Sequence, residues 1–208
     1  MTFEEFNADI TRYIEIVRLD LAALENIAEE VAQKEIMEIR VPPPTTNPHG
    51  MGQTPIAIAE SRCTVPITMV CFSVIDFIGK LCDTNDAALT PKDLDDFEKH
   101  AKVFFTRLAL RDDLKNGHTL NILQDFYRHS IMHSFLPVKN KGIGYSVSYT
   151  YHIEDNSLFS RSYTGMAILN VRYLLARVRD GLSAFEAILQ EPALAADILE
   201  NYKKHIQA

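Results

Sequence analysis

Leu120-Asn-Ile-Leu-Gln-Asp125-Phe-Tyr127-Arg128-His129-Ser-Ile-Met-His133-Ser-Phe-Leu-Pro137 is the stretch around which the chain is read. It is the one place where an arginine, two histidines and a carboxylate crowd onto a strongly apolar segment. The pattern predicts a helix stopped by Pro137, whose ring cannot continue the hydrogen-bond ladder. At about 100° per residue, Asp125, Arg128, His129 and His133 share one arc roughly 140° wide, together with Ile122, Met132 and Leu136. Leu120, Leu123, Tyr127 and Ile131 occupy the opposite side. A helix apolar on most sides belongs inside a bundle, and ionisable groups placed there need partners. The cluster is therefore either a structural polar network or a site.

The rest of the chain supplies the bundle. Thr2 and Glu5 form a capping-box pattern. Phe6, Ile10, Tyr13, Val17, Leu21, Leu24, Ala28 and Val31 then recur at spacings of three and four, predicting an amphipathic helix to about Ile39, about 50 Å long at about 1.5 Å per residue. Glu4, Glu15, Asp20, Glu25 and Glu29 on its other side read as a solvated face. Val41 to Pro55 is a proline-rich break, a connector or a flap in which His49 and Gln53 would make the contacts.

Ile56 to Asp83 is mostly helical, with Pro66 either opening a helix or kinking one. From Ile67 onward it is apolar nearly all round, which makes it the central helix. Val65 to Leu81 is short for a membrane span and carries Asp76 and Gly79. Asp76 either points to a rim, pairs with an arginine or orients a histidine of the Leu120 segment. Thr90 and Pro91 read as a cap and first helical residue, with the helix running to about Leu110. Arg111 to Thr119 reads as a turn.

Beyond Pro137 lies a basic, glycine-containing loop with Lys139 and Lys141. Tyr145, Val147, Tyr149, Tyr151 and Ile153 then alternate with polar residues, which predicts a strand. Ser157 to Ser162 would return as the second strand of a hairpin spanning about 143–162, its tyrosine face packed on the bundle or on a second subunit. A long helix from about Tyr163 to Leu189 and a short one from Pro192 to His205 close the chain. Arg172, Arg177 and Arg179 decorate the long one, as solvated residues or as partners of a buried carboxylate. The expectation is an all-α antiparallel bundle of about five helices with a β-hairpin insertion, in a single domain over 1–208.

A chain of 208 residues, 47 % hydrophobic and with 11 Phe and 8 Tyr, can bury a substantial core. Its net charge of −7 argues against a broad cationic surface for nucleic acid. Cys63, Cys71 and Cys82 form no CxxC pair and read as reduced thiols in a cytoplasmic protein without membrane attachment. The acidic opening, Thr2-Phe-Glu-Glu-Phe6, does not read as a signal peptide. The sequence carries no Gly-rich phosphate loop, no GxSxG and no zinc-type Cys/His spacing. His129 and His133 with Asp125 would suit a metal, which leaves a His-ligated hydrolase as a distant reading; the expectation is that no metal or cofactor is held.

Arg128, then a polar residue, then His133 five positions after the arginine, on a late helix of an all-α bundle, resembles the Arg-x4–6-His motif of the HEPN superfamily. The run Phe126-Tyr-Arg-His-Ser-Ile-Met-His-Ser-Phe-Leu-Pro137 looks in particular like the signature of small bacterial HEPN-like proteins, and Val70 to Leu81 looks like their central helix. Arg111 and His118 also fit the spacing, but Asn116 and Gly117 break the helix between them. The resemblance implies a homodimer and one of two functions. One is a non-catalytic binding or dimerisation module. The other is a metal-independent endoribonuclease with a composite site across the dimer interface. In the second, Arg128 would hold the scissile phosphate, His133 would act in general acid–base catalysis, and His129, with Asp125, would orient the pair. Tyr127, Asp125, Lys139 and Lys141 would contact RNA or a nucleotide.

Overall fold

The computed structural model describes residues 2–38, 61–83, 95–109, 117–125, 145–149, 157–161 and 167–206. They form a predominantly helical fold. Helix α1 is Phe3–Glu38, α2 Ser61–Leu81, α3 Asp96–Arg107 and α4 Gly117–Asp125. Strands β1 (Tyr145–Ser148), β2 (Phe159–Arg161) and β3 (Ala167–Asn170) precede α5 (Val171–Leu189) and α6 (Pro192–Ile206).

α2 is the centre, in contact with α1, α3, α5, α6 and β1. Its window Thr64–Leu81 is long and apolar enough by composition to cross a membrane, yet much of it is buried against these elements. Ile67, Cys71, Phe72, Val74, Ile75, Ile78 and Leu81 are all fully buried. Pro66 lies inside the helix rather than at its start. Two contacts close the α2–α3 seam. Phe72 meets Phe97 edge-on at 5.6 Å, and Gly79 lets the backbone of His100 approach so closely that a Cβ there would strike its carbonyl.

The capping box of α1 is formed: the Thr2 N–H donates to Glu5 Oε2 at 2.7 Å and the Glu5 N–H to Thr2 Oγ1 at 3.2 Å. Phe6, Ile10, Ile14, Val17, Leu21 and Ala28 enter the core. The acids of the opposite side are not all solvated. Arg18 makes a two-pronged pair with Glu186 at 2.9 and 2.7 Å, Glu25 pairs with Arg179 at 2.6 Å, and Glu29 with Arg172 at 3.7 Å. Residues ascending along α1 thus meet residues descending along α5, so the two helices run antiparallel. The steps from Arg18 to Glu25 and from Glu186 back to Arg179 are both one heptad.

The hairpin expectation is corrected. Strands stand near both expected places, but they do not pair with each other. β3 lies between them, parallel to β1 and antiparallel to β2, in the order β1-β3-β2. The final long helix begins eight residues later than the sequence suggests, at Val171, because Ala167-Ile-Leu-Asn170 is this middle strand. Three apolar residues in a row satisfy strand and helix periodicity equally. Asn170 breaks the tie: its Oδ1 accepts the Tyr173 N–H at 3.0 Å and so caps α5. Two further boundaries move. α3 is capped by Asp95, whose N–H donates to Glu98 at 2.9 Å; Thr90 and Pro91 lie outside the described residues. Gly117 opens α4, so Gly117, His118 and Thr119, expected in a turn, are helical.

Candidate functional site

A groove of about 420 Å³ opens where the C-terminal end of α2 meets α3, α5 and α6. Its walls are Leu81, Ile188, Leu194 and Ile198, and its polar lining is Cys82, Arg107, Asp197 and Asn201. The chemistry of the floor follows from the helix end. The last carbonyls of α2 have no partner within the helix and need outside donors. Arg107 donates to the Cys82 carbonyl at 2.8 Å. Asn201 donates to the carbonyls of Leu81 at 3.1 Å and Asp83 at 2.6 Å. Burial pushes the Cys82 thiol up to about 12, against the partial opposing effect of Arg107, so it stays protonated at neutral pH and is no nucleophile there. Cys71, fully buried, is pushed up by the same cause.

Asp76 pairs with His100 of α3, while His129 and His133 of the Leu120 segment lie outside the described residues. His100 Nδ1 lies 2.7 Å from Asp76 Oδ1. The carboxylate orients the imidazole and favours its Nδ1–H form. Asp76 and Gly79 therefore grip the same residue, one by its ring and the other by its backbone.

A third polar cluster joins α1, the residue after β1, and α5. The buried Tyr149 hydroxyl donates to Glu29 at 3.2 Å, and the Arg172 guanidinium lies over its ring, 4.5 Å from the centroid. Burial first, then the charges of Glu25 and Glu29, push the Tyr149 hydroxyl up to about 12.

Of the residues singled out in the sequence, Asp125 is the last residue of α4. Tyr127, Arg128, His129, His133, Lys139 and Lys141 lie outside the described residues, as do His49 and Gln53 of the proline-rich stretch. The helix leading to the motif has the expected phase: Leu120 and Leu123 are buried. Among the described residues, no group of three His, Cys, Asp or Glu side chains is placed to hold a metal ion. The Asp76–His100 pair and the ladder between α1 and α5 were not singled out from the sequence. The signal for the ladder is present there, as opposite charges at heptad spacing on two helices. Comparison with protein-family models, curated proteins and solved structures finds no match for this chain.

Proposed function

We propose that the protein is a non-catalytic helical binding module of HEPN-like kind, acting as a homodimer. The observation that carries this reading is the floor of the groove. Its arginine and asparagine are engaged in capping α2, its thiol is held neutral, and its walls are apolar. Such a surface takes up an apolar side chain or ring. Asp76 and His100 likewise serve to lock α2 to α3.

A second reading, a metal-independent endoribonuclease using Arg128 and His133 with His129 beside them, is favoured by one observation. α4 is helical through Asp125, with Leu120 and Leu123 turned into the core, which is the context the motif requires. One experiment separates the readings: incubation of single-stranded and structured RNAs, with and without excess EDTA, with the parent protein, Arg128→Ala and His133→Ala. The binding reading predicts no cleavage by any of them. It also predicts saturable uptake of an apolar fluorophore that is weakened by Leu194→Glu at the groove rim. Cleavage that survives chelation and is lost in both variants would overturn it in favour of the nuclease. Cleavage abolished by EDTA would point instead to the metal-dependent hydrolase.

A further inference from the structure

α1 is apolar on two sides. One side enters the core. On the other, Ile16, Leu19, Ala23 and Ile27 recur at spacings of three, four and four, and all are exposed, Leu19 to 70 %. Three of the five large hydrophobic side chains exposed among the described residues lie on this single stripe. Apolar residues scattered singly over a surface need no explanation, whereas a stripe in helical register is the pattern of a helix that pairs with another.

From this stripe we infer that two copies of the chain pair through α1, antiparallel, about a two-fold axis at the level of Leu21. This rests on the homodimer in the reading above and names its surface. The charges flanking the stripe select the occupant and its direction. Arg12 and Glu30 are exposed and lie in line with the stripe at its two ends, about 27 Å apart along the helix. Antiparallel pairing sets Leu19 against the partner's Ala23, and Arg12 against the partner's Glu30, twice by symmetry. Parallel pairing would set Arg12 against the partner's Arg12 and Glu30 against the partner's Glu30. The stripe is thus self-complementary in one direction only, as an isologous interface must be.

Sedimentation equilibrium between about 1 and 100 µM protein tests this on the whole chain. The parent sediments as a concentration-dependent dimer. Arg12→Glu and Glu30→Arg each weaken association about tenfold, because two exposed charge contacts turn repulsive at once. The double variant Arg12→Glu/Glu30→Arg restores it, and Leu19→Arg abolishes it. The three positions changed, Arg12, Leu19 and Glu30, are exposed, so in solution dilute enough for every form to be monomeric the thermal unfolding of each variant matches the parent's. A dimer indifferent to every one of these changes overturns the α1 pairing while leaving the homodimer intact. A parent that stays monomeric throughout the range overturns both.

Discussion

The two faces of α1 are built from the same residue types and meet opposite fates. Ile10, Ile14, Val17 and Leu21 are buried against the rest of the bundle, while Ile16, Leu19 and Ile27 stand in solvent. The difference is not in hydrophobicity but in what lies opposite. The inner face meets α2, α5 and α6, and the ion-pair ladder to α5 fixes which side turns inward. The outer face is not part of the hydrophobic core formed by the described residues. Burial of the inner face makes the fold, and the outer face is the surface that the inference above assigns to association.

Truncation inside and outside should separate the faces most sharply. Leu21→Ala is expected to cost about 2–5 kcal/mol, because the side chain is fully buried and its neighbours cannot fill the hole. Chemical denaturation with an unchanged slope would measure it. Raising the pH attacks the inner side by another route. Tyr13, packed on Phe77 with ring centroids 4.8 Å apart, is pushed up to about 12 by burial, as are Tyr149 and Cys82. Each is held neutral in the fold. Their stabilisation is complete below the ordinary values of 9.0 for the thiol and 10.0 for the phenols, and is lost as pH climbs towards about 12. Circular dichroism should therefore show stability falling across that window and flat just below it.

Smaller effects sharpen the boundary between the faces. Glu25→Gln removes the charge that Arg179 meets at 2.6 Å and should cost roughly 0.5–1 kcal/mol, since both side chains keep partial contact with water. The loss should shrink in high salt. Leu19→Ala should change monomer stability by less than about 0.5 kcal/mol. A loss as large as that of Leu21→Ala would erase the distinction between the faces.

Much of this fold is legible in the sequence where a pattern is long. The capping box of Thr2 and Glu5, the inner seam of α1, the all-apolar α2 and the last helix from Pro192 each repeat a signal over several turns. Short elements are not legible, because four residues carry no period. Ala167–Asn170 was indistinguishable from the first turn of the helix that follows, and only its pairing with β1 and β2 reveals it as a strand. Long-range charge pairs go unmatched for a different reason: their heptad spacing is present in the sequence, but nothing there says which two helices are neighbours. Glu25 and Glu29 look solvated until Arg179 and Arg172 are brought across from a helix well over a hundred residues later. Asp76 reads as a carboxylate on a buried helix that needs a partner, but sequence spacing cannot choose among seven histidines, and the structure pairs it with His100.

The most direct test of the claim that the outer face of α1 is an interface is the alkylation rate of Leu19→Cys as a function of protein concentration. Cys71 and Cys82 are buried and held protonated, and replacing Cys63 by serine leaves the introduced thiol as the fast-reacting one. The account predicts rapid alkylation in dilute protein and progressive protection as the concentration rises through the dimerisation range. A rate independent of concentration would contradict it.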